Sequence, residues 1–477
     1  MTKNGCSNIN ELPDDLILKI LSFISTKHVV VTSLLSKRWK SLWTRVPILK
    51  FDVGDHTRFE RFMDKSLSSH QSHVLESLHV KLSVVRWNKD IGPWIRTALD
   101  HHHSHLRELE IDACIVHTLL PPELFTCARL VVLKLQGIVI DVKGPLTRVC
   151  LPSLKTLHID QSSLFDIDSL QMLLSTCNCL TDLMVIRKSG FFFAEYDVSW
   201  CKTLVALKLE GLKDVISIAS SAVSLPFLKT LHVARMVDFN NGSFCRLLSN
   251  CPVLSDLTLE TKTSDVMLNL DIAMPCLQSL SIITRTLDST DLCGLLKDYI
   301  PKLAIIAPCF KYLSIQELLY SRFLRTVRIR RLGDPWKVED ASIFSRIVHL
   351  ELSICREKSG KILEDLFPCC INLVVLKLKN VNVGTSLDRW EPPSLVPTCL
   401  LSSLEALEWR GYKGIYGDKK LMSYLLNHAL CLKTAKIFYE TYYPYNVEKK
   451  QIEKDLASMP RGSKSCELVV NEYIRII

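Results

Sequence analysis

The segment SLKTLHI (153–159) places Leu154, Leu157 and Ile159 in the frame L-x-x-L-x-L. Because the L-x-L pair alternates, it predicts a short strand whose two aliphatic side chains face the same way. The frame recurs along most of the chain, at 74–80, 105–111, 129–135, 179–185, 203–209, 227–233, 253–259, 276–282, 310–315, 323–329, 347–352, 372–378, 403–409 and 431–437. We therefore expect a repetitive fold with one strand in each unit.

The spacing of this repeat is nearly constant. From Leu109 to Leu280 the central residue of the frame advances by 24, 24, 26, 24, 24, 26 and 23 residues. The next steps, 33 to Leu313 and 14 to Val327, mark the strongest irregularity. A period in this range is typical of solenoid proteins, in which each unit buries its apolar face against its neighbours.

The frame and its period resemble the leucine-rich repeat. The resemblance implies an α/β fold, a solenoid in which parallel strands line the concave face of a horseshoe. Small cysteines support the register, since each lies three residues before the first Leu of a frame: Cys127, Cys177, Cys201, Cys251 and Cys370. We expect these five thiols to be buried spacers of the core.

The first fifty residues lie outside the repeat and carry a helical pattern. Pro13 suits the first turn of a helix, and the helix dipole favours Asp14 and Asp15 there. Apolar residues then recur at helical spacing, at Leu16, Ile17, Ile20, Leu21 and Ile24. Thr26 and Ser36 are the predicted caps of two further short helices. Three short helices have too small an interior for these side chains, so the helices pack on the repeats or bind a partner.

The segments LPDDLILKILSF (12–23) and VVVTSLLSKRWKSLW (29–43) together resemble an F-box. That family docks on the Skp-type adaptor of a cullin-RING ubiquitin ligase, so the resemblance implies this adaptor, and through it a cullin, as partners. It implies adaptor contacts from Leu12, Pro13, Ile17, Leu18, Ile20 and Leu21, supported by Val30, Leu34, Leu35 and Trp39. The chain has Ile24-Ser25 and His28 where the family commonly has Leu-Pro and Asp. The alternative is a three-helix bundle that only caps the repeats.

The composition and the repeat pattern of the sequence change after Arg389. Three prolines at 390–400 precede a strand, a helix at 418–430, a strand, a charged helix at 447–459 and a last strand. Blocks in this order resemble the FBD domain, which ends many plant proteins with an F-box and leucine-rich repeats. We therefore predict a disordered tail at 1–8, an F-box at 9–52, leucine-rich repeats at 53–389 and an α+β FBD domain at 390–477 that caps the array.

Composition excludes several classes of protein. There are 59 Lys and Arg against 50 Asp and Glu, and a formal charge of +9 is too mild to predict a nucleic-acid partner without a concentrated basic face. No apolar run approaches the roughly 18 residues of a membrane helix. Residues 1–10 lack the apolar core of a secretory signal. The 18 cysteines are scattered. We expect reduced thiols and a cytoplasmic or nuclear protein without membrane contact.

Motifs of catalysis and of cofactor binding are absent from the sequence. It has no phosphate-binding loop, dinucleotide fingerprint, nucleophile elbow or zinc-protease motif, so we predict no enzyme and no cofactor. The cluster His101, His102, His103 and His105 could suggest zinc, but no Cys or carboxylate partner is placed beside it. We interpret it as a solvated helix end and predict no metal site.

The residue between the two inward positions of each strand is predicted to face a partner. We expect target contacts from His79, Glu110, Lys134, His158, Lys208, His232 and Arg328. Together with the F-box, this surface predicts a non-catalytic subunit of a Skp–cullin–F-box ubiquitin ligase that recruits a target protein. Two alternatives stay open: a receptor for a hormone or inositol phosphate, using the basic stretch 322–331, and a repeat scaffold without a ligase.

Overall fold

The computed structural model describes residues 9–52, 56–70, 75–82, 90–102, 105–118, 120–140, 149–160, 167–186, 201–211, 224–234, 241–262, 269–285, 302–318, 344–354, 366–380, 390–440 and 449–473. The chain forms two compact units. The first comprises residues 1–213 and 220–225, and the second comprises residues 214–219 and 226–477. The predicted tail at 1–8 lies outside the described residues.

Helices precede or connect the strands. Their bounds are Asp14–Leu21 (α1), Thr26–Thr32 (α2), Lys37–Leu42 (α3), His56–Ser69 (α4), Gly92–His102 (α5), Ile167–Thr176 (α6), Asn241–Ser249 (α7), Thr398–Ser402 (α8), Tyr416–His428 (α9) and Lys449–Ser458 (α10). The three short helices of the N-terminal segment are thus confirmed. Ser36 caps α3 by accepting a hydrogen bond from the Trp39 backbone N–H, whereas the N-cap position of α2 is Ser25, one residue before the predicted Thr26.

The first unit contains a sheet of parallel strands in chain order. They are Ile48–Asp52 (β1), Ser77–Leu82 (β2), Glu108–Thr118 (β3), Val132–Ile140 (β4), Thr156–Asp160 (β5), Asp182–Ile186 (β6) and Ala206–Glu210 (β7). The register aligns the central Leu of each frame, with Leu133 opposite Leu157 and Leu183 opposite Leu207. One repeat period along the sequence therefore leads from a strand to the next strand in the sheet.

The second unit repeats this arrangement. Its parallel sheet contains Thr230–Ala234 (β8), Asp256–Lys262 (β9), Ser279–Arg285 (β11), Tyr312–Leu318 (β13), His349–Ile354 (β14), Val375–Asn380 (β15), Ala406–Tyr412 (β16), Thr434–Glu440 (β17) and Glu467–Tyr473 (β18). A separate pair joins Asn269–Ala273 (β10) to Lys302–Ile306 (β12). Because β12 occupies part of the connection after β11, the step from Leu280 to Leu313 is longer than the usual period.

The register shows which strand lies next to β13. Strand β13 pairs directly with β14, and Leu313 lies opposite Leu350. The frame at 323–329 is predicted to form a strand. Residues 323–329, with Arg328, lie outside the described part of the chain.

The core follows the alternation of each strand. Leu157, Leu207 and Leu257 are buried, while the residue after each of them is half-exposed. All five predicted cysteine spacers are also buried, which confirms their place in the core. Burial raises the pKa of Cys177 to about 11 and that of Cys251 to about 12, so both thiols stay protonated.

The C-terminal segment continues the parallel sheet. Helices α9 and α10 confirm the two predicted helices to within a few residues, and they connect β16 to β17 and β17 to β18. All three strands run parallel to β15, so this part is β-α-β-α-β and differs from the predicted α+β arrangement. Gly411 has a φ of 75°, and a Cβ there would lie 2.9 Å from the Asn380 carbonyl oxygen, so only glycine suits this register shift in β16.

The N-terminal helices are joined to the first sheet by specific hydrogen bonds. The backbone N–H of Lys50 in β1 donates to the Thr26 Oγ1 at 2.8 Å. After α4, the buried His70 places Nε2 at 2.9 Å from the Val46 carbonyl oxygen. Since that oxygen can only accept, Nε2 carries the proton.

His70 predicts a pH dependence of stability. Burial lowers the pKa of His70 below its ordinary value of about 6.5, so the unfolded chain binds more protons than the folded chain under mildly acidic conditions. We therefore expect the free energy of unfolding to fall as pH drops through 6.5 towards the folded pKa. Thermal unfolding measured between pH 5 and 8 tests this. The variant His70→Gln keeps a donor but does not titrate, and an unchanged slope in it would exclude His70 as the cause.

Candidate partner-binding site

The interior of the N-terminal bundle is formed by one side of each helix. Its buried residues are Ile17, Leu21, Val29, Trp39, Leu42 and Val46, with Leu12, Leu18 and Trp43 packed partly against them. Ile17 and Leu21 are 0% and 2% exposed, and Trp39 is equally covered. In this structure Ile17, Leu21 and Trp39 therefore hold the bundle together, and their contribution to an adaptor contact stays a prediction.

Exposed apolar side chains lie on α1 and α2 and in the short segments beside these helices. We call this the apolar F-box surface, and its members are Ile9, Leu16, Ile20, Phe23, Ile24, Val31, Leu34 and Leu35. Leu34 is 84% exposed, Phe23 74% and Leu35 66%. Single exposed leucines are common, but this density within fewer than thirty residues is typical of an interaction site.

This surface contains only part of the predicted contact set. Ile20, Leu34 and Leu35 lie in it, Pro13 is exposed beside it, and Leu12, Leu18 and Val30 are half-buried. Leu16, Phe23 and Val31 are not in the predicted contact set, although Leu16 belongs to the predicted helical pattern. The spacing of residues 16 and 20 is the signal that could have placed Leu16 beside Ile20 on the exposed side of α1.

An ion pair fixes the start of α1. The Arg38 guanidinium donates to the Asp14 Oδ1 at 2.6 Å and to the Leu12 carbonyl oxygen at 2.6 Å, and Arg45 reaches the Asp14 Oδ2 at 3.2 Å. The hydrogen bond from Arg38 is the main reason that the pKa of Asp14 lies below its usual range. Arg38 thereby ties the Leu12–Pro13 segment to α3.

The two departures from the F-box pattern contact one another. The Ser25 hydroxyl lies 2.8 Å from the His28 Nδ1, at the start of α2. Ser25 has the extended backbone of an N-cap residue, so the helix begins without the proline that is common in the family. The departures therefore preserve the fold of the bundle.

The first unit presents a polar row along the open face of its sheet. His79, Glu110, Lys134, His158 and Lys208 occupy this row in register, as predicted. Many of the charges are paired. The His79 Nδ1 lies 3.2 Å from the Glu110 Oε2, and the His158 Nε2 lies 3.0 Å from the Asp182 Oδ2. This row is structured by its own ion pairs before any partner binds.

The second unit carries an equivalent row that begins with His232 in β8. Near its middle, the rings of Tyr312 and His349 lie 4.6 Å apart, and the Tyr312 hydroxyl donates to the Glu351 Oε2 at 3.0 Å. Burial raises the pKa of Tyr312 to about 12, so the phenol remains a donor at neutral pH. Sequence reasoning missed Tyr312 and His349, because both lie one position before the central Leu of their frames.

Some predicted features carry no chemistry in the structure. Helix α5 ends at His102, which agrees with a helix end at the histidine cluster, while His103 lies outside the described residues. Among the residues that the structure describes, no group of His, Cys, Asp or Glu is arranged to hold a metal ion. Within the same residues, no helix has the length and apolar character needed to cross a bilayer.

A helical module with exposed apolar side chains, followed by repeats in parallel register, defines a leucine-rich-repeat protein with an N-terminal helical domain. Family models match the F-box domain at 9–51, the LRR repeats of the FBD-associated F-box protein At5g56370 at 91–194, a leucine-rich repeat at 228–252 and the FBD domain at 391–437. These matches follow the order that the sequence predicted.

Full-length relatives agree with these matches. The chain is 78% identical over 426 residues to the putative F-box/FBD/LRR-repeat protein At3g56780 of Arabidopsis thaliana, which covers 89% of this chain and 99% of that protein. It is 32% identical to the F-box/FBD/LRR-repeat protein At5g56420 of the same plant, over 97% of this chain and 98% of the relative. The chain therefore belongs to the plant F-box/FBD/LRR-repeat family.

A solved structure with some likeness is an internalin from Listeria monocytogenes, with 13% identity, a TM-score of 0.37 and coverage of 80% of this chain and 93% of the internalin. The repeat assignment rests instead on the strand register and the family matches. An F-box domain implies, in general, an adaptor role in a Skp–cullin–F-box ubiquitin ligase with a Skp-type partner. Proteins that combine an F-box with leucine-rich repeats are generally non-catalytic adaptors.

Proposed function

We propose that this protein is a target-recognition subunit of a Skp–cullin–F-box ubiquitin ligase, acting in the cytoplasm or nucleus. The apolar F-box surface docks on the Skp-type adaptor, and the open faces of the sheets bind a target protein. The chain then needs no catalytic residue or cofactor, because holding the target near a charged ubiquitin-conjugating enzyme raises the effective concentration of the reactants.

The exposure of Leu34, Leu35 and Phe23 is the observation that carries this proposal. The bundle already has a complete interior of its own, so these side chains are not needed for its fold. Covering them removes apolar area from water, which is the main favourable term in protein association. A bundle that only capped the repeats would have no use for this surface.

Target binding is proposed for the open polar rows. His79, Glu110, Lys134, His158 and Lys208 form the row of the first unit, and His232 begins that of the second. Extended surfaces of this kind are what repeat proteins offer to a partner. Arg328, the remaining residue of the predicted set, lies outside the described residues.

Co-purification with a Skp-type adaptor tests the docking step. We expect the double variant Leu34→Asp, Leu35→Asp to lose at least about tenfold in adaptor recovery, because two charges would have to be desolvated in an apolar contact. Circular dichroism should remain unchanged, since both side chains are exposed.

The matched control is Leu395→Asp, which alters an apolar side chain that is 82% exposed in the C-terminal segment. This control should retain full adaptor recovery. Equal recovery of adaptor with the wild type and the Leu34, Leu35 variant would contradict the proposed docking.

A further inference from the structure

Three lysines lie on the open face of the sheet in the second unit. Lys377 and Lys379 lie on β15, and Lys436 lies on β17. None of the three forms an ion pair with another described residue. We call them the basic strip.

The carboxylates nearest in register to Lys377 are already engaged. Lys377 lies between Glu351 of β14 and Glu408 of β16. Glu351 accepts hydrogen bonds from Tyr312 at 3.0 Å and from the Gln316 side-chain amide at 3.0 Å. Glu408 accepts from the Arg410 Nε at 2.5 Å. Both carboxylates are held by these donors, and neither forms an ion pair with the Lys377 ammonium group.

The first unit shows the opposite arrangement. On its open face, three lysine Nζ atoms lie near carboxylates: Lys81 is 3.9 Å from Asp112, Lys134 is 3.6 Å from Glu110, and Lys208 is 3.9 Å from Glu210. Among the described residues, Lys50 of β1 is an unpaired lysine on this face, and it stands alone, whereas the unpaired lysines of the second unit lie close together. The basic strip is a local feature of β15 to β17 and does not follow from the repeat itself.

The geometry of the strip favours an extended ligand. Neighbouring strands lie about 4.8 Å apart, so Lys377 and Lys436, two strands apart, are separated by roughly 10 Å. Glu408 lies between them and would repel a compact polyanion centred there. An extended peptide spaces alternate side chains by about 7 Å, so it can present one carboxylate on each side of Glu408. The Phe438 ring, with the Arg410 guanidinium 5.7 Å from its centroid, adds a flat apolar platform beside the strip.

We propose that the basic strip binds an extended acidic segment of the target protein. This inference rests on the proposed function, because it names the chemistry of the target that the second unit recognises. Lysines without an ion pair need not break one to bind a carboxylate, and they attract carboxylates over a Debye length, which favours both recognition and fast association.

Fluorescence anisotropy with the full chain tests the proposal. The probe is a short fluorescein-labelled peptide of alternating Glu and Thr, and its neutral counterpart has Gln in place of Glu. We expect the wild type to bind the Glu peptide about tenfold more tightly than the Gln peptide, and the affinity to fall as salt is raised. The triple variant Lys377→Gln, Lys379→Gln, Lys436→Gln should bind both peptides alike.

A matched variant controls for net charge. Lys433→Gln, Lys450→Gln, Lys464→Gln removes the same charge from exposed lysines of the C-terminal segment that lie off the strands, and it should keep the preference for the Glu peptide. Equal binding of the two peptides by the wild type, or the same loss in both triple variants, would overturn the proposal. Binding of inositol hexakisphosphate that the Glu peptide cannot displace, and that the Lys377 triple variant loses, would assign the strip to a small polyanion instead.

Failure of this inference is distinguishable from failure of the ligase role. Adaptor co-purification depends on the apolar F-box surface, whereas peptide binding is measured without an adaptor. Peptide binding that persists when adaptor docking is absent would leave the strip as a recognition site and remove the ligase.

Discussion

Replacing Ile17 by Ala is expected to destabilise the N-terminal bundle by about 2–5 kcal/mol, the usual range for a large aliphatic residue in a core. Ile17 is 0% exposed and packs among Val29, Trp39 and Leu42. The neighbouring Leu16 is 48% exposed, and Leu16→Ala should change stability by no more than about 0.5 kcal/mol. Two adjacent residues of one helix are therefore predicted to behave oppositely.

Hydrogen exchange of the amides in α1 to α3 measures this difference locally. Each 1.4 kcal/mol corresponds to about a tenfold change in an equilibrium constant, so Ile17→Ala should accelerate exchange by at least tenfold. Leu16→Ala should leave exchange unchanged and reduce adaptor recovery. If Leu16→Ala loosened the bundle as much as Ile17→Ala did, the apolar F-box surface would be part of the interior, and the docking proposal would lose its basis.

The sequence predicts which residues form strands better than it predicts which strands lie next to each other in the sheet. The L-x-L alternation and the near-constant period locate Leu133, Leu157 and Leu207, because a one-residue slip would expose every aliphatic side chain. The same reasoning does not predict which strand lies next to β13. A frame of seven residues does not reveal the length of the connection that follows it. Only the pairing of Leu313 with Leu350 shows that β13 and β14 are adjacent.

The contact residues of the F-box illustrate a second limit of pattern reasoning. An apolar helix in a small bundle has one side facing the interior and another facing a partner, and both sides show helical spacing. The resemblance therefore placed Ile17 and Ile20 in one contact set, although one is buried and the other is exposed. Separating them requires the positions of α2 and α3, which depend on tertiary packing.

The ion pairs on the open faces could not be predicted from the sequence either. Lys134 and Lys377 occupy equivalent positions of the L-x-L frame, and both have acidic neighbours in register. Whether a carboxylate pairs with the lysine depends on competing donors such as Tyr312 and Gln316. Those donors lie at other positions of the frame, so only the side-chain geometry identifies the unpaired lysines.

The C-terminal segment is expected to be as essential to the second unit as the repeats are. Trp409 in β16 is 0% exposed, and its ring packs edge-on against the Tyr412 ring with the centroids 5.3 Å apart. Trp409→Ala should therefore cost about 3–5 kcal/mol, since it removes the largest buried side chain of this sheet and leaves a cavity. The matched variant Tyr416→Ala removes an aromatic side chain that is 71% exposed, and it should cost no more than about 0.5 kcal/mol.

Urea unfolding followed by circular dichroism compares these two variants. Because β16 pairs with β15 on one side and β17 on the other, loss of Trp409 should also weaken the strands that carry Lys377 and Lys436. We therefore expect Trp409→Ala to lower both the unfolding midpoint and the affinity for the acidic peptide. A separate FBD cap, folded independently of the repeats, would instead unfold in its own transition and leave hydrogen exchange in β13 and β14 unchanged.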